Sequence, residues 1–238
     1  MAWSGETSLN PVIRRGPFTV QPFSEESRLI WERREHVVFG VSPGNSYFQV
    51  GRMTELFGWL SRQFERIDVV MPDSALVHTY LALGYDQQRA RKKAHSEINV
   101  LRNRVTRAWN SIGGPRTADG LHRMSELSSH VVYTAKLAEC EQAVAQDETL
   151  GQTCVEMTKE VLRARGHEGP LTAAQIDQAM RYLIAELPFF LASSDIFEVP
   201  TSLNFYHREL PLAEVIFTGE TLLQASPRQA YATIRPAR

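Results

Sequence analysis

The chain has 238 residues, 43% of them hydrophobic and 22% charged, with a formal net charge of −1. That suits a globular protein with its own core, and it excludes a wholly basic nucleic-acid binder while allowing a local basic patch. Two cysteines, Cys140 and Cys154, make no disulfide framework and lack metal-ligand spacing; with no signal-peptide core in the first 24 residues and no apolar run near the roughly 18 residues of a membrane span, a cytoplasmic protein is expected.

Residues 1–24 are rich in Ser, Pro, Gly and Thr without periodicity and read as a flexible leader to a single domain over 25–238. The apolar, β-branched run 36–41 predicts a buried first strand. It ends at Ser42, held between Gly40 and Gly44, and Asn45 is a candidate N-cap for a helix over 46–65. Ile67 to Met71 predicts a second strand, parallel to the first. A polar helix over 86–112 carries Arg89, Arg91, Lys92, Lys93, Arg102, Arg104 and Arg107 against Asp86 and Glu97, seven minus two or +5, before Gly113-Gly114-Pro115 stops it. Two or three helices follow over 123–166. Thr172 caps a further helix that ends near Pro188. Short strands are expected at 196–199 and 203–206, and a last one at 230–234. Strands alternating with helices predict a doubly wound α/β fold with extra helices.

Four groups of residues could carry chemistry. Gly40-Val41-Ser42-Pro43-Gly44 fits the G-x-S-x-G turn that exposes a nucleophilic serine at the carboxyl edge of a sheet, although a serine there could equally cap a helix. Tyr182 and Glu186 stand at i and i+4 on one helix face, suited to hold an ammonium and accept a proton, or to sit as an interfacial pair. Tyr206-His207 at a strand end could relay protons, or be a partly buried aromatic beside a satisfied histidine. The basic helix could grip a polyanion, with His95 and Trp109 as candidate stacking platforms. No zinc pattern, Walker A loop or G-x-G-x-x-G occurs, so neither metal nor nucleotide cofactor is expected.

Taken together these segments resemble the cyclodipeptide synthases. His36 to Ser42 follows that family's first signature, except that Phe39 replaces an aliphatic residue. Tyr182 to Pro188 matches the second signature fully, and 140 positions separate Ser42 from Tyr182. Asn45, Tyr206 and His207 match its Asn-Tyr-His subgroup, and the resemblance spans about residues 25–236. It implies a Rossmann-like fold with a mostly parallel central sheet flanked by helices, similar to class I tyrosyl- and tryptophanyl-tRNA synthetases. It also implies ping-pong acyl transfer without ATP or any cofactor. Ser42 would take the aminoacyl group of one aminoacyl-tRNA. The amine of a second would then attack the aminoacyl-enzyme, giving a dipeptidyl-enzyme that cyclises to a diketopiperazine. By the same resemblance Tyr182 and Glu186 hold the ammonium, Tyr206 relays a proton, Asn45 orients the intermediate and His207 supports the geometry. Val38, Gly40, Val70, Met124, Phe189 and Asn204 fall at positions lining the first aminoacyl pocket, which suits Leu, Ile, Val or Met. Arg91, Lys92, Lys93, Arg102, Arg104 and Arg107 fall in the tRNA-binding segment. The expected partners are two aminoacyl-tRNAs per product and downstream tailoring enzymes, with a monomer as the acting unit and no membrane.

Two other readings compete. A serine esterase needs an Asp or Glu and then a His downstream, which Glu186 or Glu198 with His207 formally supplies. Only 35 residues precede His36, short for the strands such folds place before the elbow. A non-catalytic tRNA-binding or editing module would use the basic helix without needing Ser42, Tyr182 and Glu186 together.

Overall fold

A computed structural model describes residues 12–237. Its seven-stranded sheet runs in the order β1-β2-β7-β6-β3-β4-β5. The strands are β1 (Ile13–Arg15), β2 (Phe18–Pro22), β3 (His36–Gly40), β4 (Arg66–Met71), β5 (Gly120–Arg123), β6 (Ser202–Tyr206) and β7 (Gln229–Pro236). From β7 to β5 all neighbours are parallel; β2 joins β7, and β1 joins β2, antiparallel. The mixed α/β sheet matches the expected fold. The expected leader does not: within residues 13–22, β1 pairs with β2 and β2 with β7, while residues 1–11 lie outside the described part.

Period-two alternation assigns the sheet its two faces. Val37, Phe39, Ile67, Val69, Leu203 and Phe205 enter one core with Trp31 and Trp59. That core is closed by the helices α1 (Glu25–Arg33), α2 (Val50–Gln63) and α4 (Gln87–Asn110). On the other face Val38, aligned with Asn204, and Gly40, aligned with Val70, look toward α6 (Val131–Gln146), α7 (Glu148–Ala164) and α8 (Ala173–Ile196). The short helices α3 (Leu76–Ala82), α5 (Met124–Leu127) and α9 (Pro211–Phe217) complete the shell. No helix among the described residues is long and apolar enough to cross a membrane.

Three local expectations need correction. Asn45 does not cap α2, which starts at Val50 after Gln49; its Oδ1 instead accepts the Tyr47 N–H at 2.9 Å in a tight turn. The helix expected to end near Pro188 continues to Ile196, with non-helical backbone at Ala192, because burial of Phe189, Phe190 and Leu191 outweighs the lost Pro188 N–H. The residues expected as a strand at 196–199 therefore close α8 and turn, with Glu198 at φ 53.

At the amino end of the cavity face lies a buried charge cluster. The Asp68 carboxylate meets His36 Nε2 at 3.0 Å, His122 Nε2 at 2.9 Å and Arg66 Nη2 at 2.7 Å. A carboxylate only accepts, so both imidazoles present N–H, and His36 Nδ1 is left to accept from Ser202 Oγ at 2.8 Å. One carboxylate thus ties β3, β4, β5 and, through His36, β6. A Cβ on Gly120 would stand 2.3 Å from Asp68 Oδ1, so only glycine fits there. These three donors hold the Asp68 pKa far below the ordinary carboxylate range, against its burial. A depressed folded pKa gives stability that is complete above about pH 4 and is lost as pH falls below it. Asp68→Asn is expected to cost about 3–5 kcal/mol in denaturant unfolding and to flatten that acid limb.

Candidate active site

β3 is the strand from which the order departs in both directions: the chain goes on to β4 and β5 on one side and returns to β6 and β7 on the other. The carboxyl ends of β3 and β6 therefore flank a topological switch point, where open α/β sheets form a crevice. Ser42 follows β3, and Tyr206-His207 ends β6. The Ser42 Oγ and Tyr206 Oη lie 3.4 Å apart. The crevice opens into a cavity of about 740 Å³. The six predicted catalytic residues and the six predicted aminoacyl-pocket residues all line it.

α8 supplies the opposite wall. Tyr182 and Glu186 project from one face of it into the cavity, as their i, i+4 spacing requires. Burial pushes the Glu186 pKa up to about 7, with the Tyr182 hydroxyl opposing this as a hydrogen-bond donor. Burial also raises Tyr182, and the Glu186 charge adds to the rise. Tyr206 is raised by burial, in spite of its bond to Ser42. All three groups thus favour their neutral forms, and Glu186 is the one that changes charge near neutral pH. His207 is driven down to about 4 by burial and by Arg208, so it is a neutral ring. It stacks on Tyr47 at 4.3 Å between centroids, and its Nε2 accepts from Asn45 Nδ2 at 3.4 Å. That engagement makes it part of the frame around Ser42. Among the described residues no carboxylate pairs with His207, so the esterase triad is not assembled.

The aminoacyl end of the cavity is apolar. Val38, Val70, Met124 and Phe189 share a buried cluster with Tyr133 and Phe197. Phe189 stands 5.5 Å from the Tyr133 ring, narrowing the space. A Cβ on Gly40 would meet nothing within 4 Å, so its missing side chain leaves room in the cavity. Asn204, the polar exception, donates to the Phe189 carbonyl at 3.4 Å, so its amide is spent on the α8 backbone.

α4 presents the predicted cations. Ala90, Ala94, Ile98, Leu101, Val105 and Ala108 form its buried stripe, leaving Arg89, Arg91, Lys92, Lys93 and Arg107 exposed and Arg102 and Arg104 half-buried. Lys93 reaches the cavity, 5.2 Å from the Tyr85 ring centroid. Arg104 borders a second cavity of about 220 Å³, which shares Gly44 and Glu97 with the first. Trp109 cannot serve as a stacking platform: it is 3% exposed and stacked on Phe57. His95 is exposed. Sequence reasoning missed Tyr80 and Arg165, which also line the cavity. No motif pointed to either of them.

Comparison with known proteins gives the family. The family model described as cyclodipeptide synthase matches residues 18–236. A cyclo(L-tyrosyl-L-tyrosyl) synthase of Mycobacterium tuberculosis is 35% identical over 220 residues, covering 92% of this chain and 76% of the relative. A cyclo(L-leucyl-L-phenylalanyl) synthase of Streptomyces noursei is 32% identical over 213 residues, covering 89% of each. A solved Mycobacterium tuberculosis structure, described as relating cyclodipeptide synthetases to type I tRNA synthetases, superposes with a TM-score of 0.86 at 32% identity, covering 99% of this chain and 100% of that one.

Proposed function

The chain belongs to the cyclodipeptide synthase family, and from that premise we propose that it joins two aminoacyl-tRNA residues into a 2,5-diketopiperazine by ping-pong acyl transfer through Ser42. The observation that carries the reading is the convergence of Ser42, Tyr206, Tyr182 and Glu186 on one cavity from elements far apart in sequence. In the first half-reaction Ser42 Oγ attacks the ester carbonyl and the tRNA hydroxyl leaves. Atom balance sets the direction of the second step, opposite to the one the resemblance implies. For a dipeptide to stay on Ser42, the amine of the bound residue must attack the second ester, because the opposite direction would leave the dipeptide on tRNA. That amine must first lose a proton, and a carboxylate with a pKa of about 7 is well matched to take it. Attack of the terminal amine on the Ser42 ester then closes the ring, with Tyr206 beside the departing Oγ to return a proton.

The apolar walls favour at least one aliphatic residue, Leu, Ile, Val or Met. A methylene is worth only about 1–3 kcal/mol in such a pocket, so a preference among these four is expected, not exclusivity. Expression in a bacterial host with mass spectrometry of the medium tests both parts. The expected product is a diketopiperazine with an aliphatic residue. A product of Tyr or Trp alone would overturn the preference, and no diketopiperazine would overturn the activity.

The exposed cations of α4 are proposed to hold the tRNA acceptor arm. Reversing Lys92 and Lys93 together to Glu is expected to lower kcat/KM for aminoacyl-tRNA by about tenfold at low salt, with the gap narrowing as salt rises, because counterion release drives such contacts. Kinetics identical to the parent at every ionic strength would remove α4 from the interface.

A further inference from the structure

We propose that Arg165 is the positioning residue of the nucleophile: its guanidinium clamps the Ser42-Pro43-Gly44 turn and ties it to the basic helix. The inference rests on the reading of Ser42 as acyl acceptor. α7 ends at Ala164, and Gly166, at φ 87, terminates it by sending its own N–H to Arg163 O and the His167 N–H to Leu162 O. This stop fixes the backbone of Arg165 at the helix end, from which the side chain enters the cavity.

The guanidinium then has three engagements. Nη2 donates to the Pro43 carbonyl at 2.9 Å. Nη1 meets Glu97 Oε2 on α4 at 3.2 Å. The Tyr80 ring lies under Cζ at 5.7 Å. The fork places the carbonyl and the carboxylate on two different nitrogens held in one plane, and lysine, with a single nitrogen, is not an equivalent. Gly44, at φ +74, takes a backbone conformation that favours glycine, and it packs at ordinary contact distance from the guanidinium.

The turn is anchored on both sides of Ser42. Upstream, the Val41 N–H donates to Val70 O at 3.2 Å, continuing the sheet ladder. Downstream, the turn's own bond, from Asn45 N–H to Ser42 O, is long at 3.4 Å, and the strong tie is Arg165 to Pro43 O. Without Arg165 the downstream side keeps only the bonds around Asn45 and loses its charge-assisted tie. A displacement of about 1 Å at a reacting atom costs on the order of 10²-fold in rate. Glu97 in turn borders both cavities, so the Arg165–Glu97 pair links the cations of α4 to the turn that carries Ser42.

The test is single-turnover acylation of the full chain by one aminoacyl-tRNA, with the covalent aminoacyl-enzyme on Ser42 followed by intact mass. Arg165→Ala and Arg165→Lys are expected to lower the maximal acylation rate by about 10²-fold, with the half-saturating aminoacyl-tRNA concentration within threefold of the parent. Arg165→Lys keeps the charge and the stem, so it serves should Arg165→Ala unfold. Maximal rates within threefold of the parent would overturn the proposal, and so would a loss confined to the half-saturating concentration, which would make Arg165 a tRNA contact. Absence of any Ser42 adduct in the parent would instead overturn the covalent reading itself, so the two failures are distinguishable.

Discussion

Ser42→Ala is expected to abolish diketopiperazine formation, by at least about 10³-fold, and to leave no aminoacyl-enzyme detectable by intact mass. The fold is expected to be unaffected. The Ser42 hydroxyl makes one long bond, 3.4 Å to Tyr206, and its loss costs about 1 kcal/mol or less. The large effect follows from covalent catalysis: with no acyl acceptor there is nothing for the second aminoacyl-tRNA to extend. The same serine is expected to hydrolyse simple esters poorly. An esterase serine needs a histidine base held by a carboxylate, whereas here the neighbour is a tyrosine with a raised pKa and the nearby histidine is held by Asn45. An aminoacyl-tRNA ester is activated, so it places less demand on the nucleophile. Rapid fluorophosphonate labelling with ester hydrolysis in the absence of tRNA would sink this assignment.

The second large effect is the pH dependence set by Glu186. Burial pushes its carboxyl up to about 7, so kcat/KM is expected to rise with pH through about 7 and level off above. A bound ammonium favours the carboxylate, so the same limb in kcat is expected at lower pH. Glu186→Gln keeps the shape and removes the charge; it is expected to lose on the order of 10²-fold or more in kcat/KM and the ionisation with it. A parent profile flat from pH 5.5 to 8.5 would contradict the role. Stability should move in the opposite sense. A folded-state pKa above the unfolded value means that the folded protein binds the extra proton. Stability is therefore complete below the ordinary carboxyl value of 4.5 and declines as pH rises toward about 7, by at most roughly 3 kcal/mol. Glu186→Gln is thus expected to be more stable than the parent at pH 8 and less active, a trade measurable by urea unfolding at pH 5 and pH 8.

Elements with a period of their own were legible in the sequence. The run 36–41, the i, i+4 pair Tyr182 and Glu186, and the cations of α4 needed only local pattern and stand where that pattern places them. Val38, Gly40, Val70 and Asn204 were reached through the family resemblance, and strand alternation accounts physically for their common face. What failed depended on tertiary context. Pro188 was read as a helix end because proline removes a donor, yet the apolar Phe189-Phe190-Leu191 segment keeps the helix going against the sheet. Residues 13–22 read as a leader because short edge strands carry little periodicity, and what orders them is the pairing of β1 with β2 and of β2 with the distant β7. β5 was missed because Gly120 and the polar His122 do not look like a strand, although Asp68 requires both. Arg165 was invisible because nothing local says that a helix-end arginine will meet a proline carbonyl 122 positions away.

The pairing of β2 with β7 has a consequence for how the molecule is made. Thr19 and its partner Arg235 are 216 positions apart, and β3 likewise awaits β6, whose Leu203 aligns with Val37. At a synthesis rate of about 5–20 residues per second, β2 emerges from the ribosome on the order of ten seconds or more before β7 exists. During that interval the apolar strand bearing Phe39, and with it the serine turn, has β4 for company and an open edge on its other side. The nucleophile's geometry is therefore completed late in biosynthesis. Substitutions that weaken β6 or β7 should show themselves first as aggregated nascent protein, before any loss of catalytic quality in the molecules that do fold.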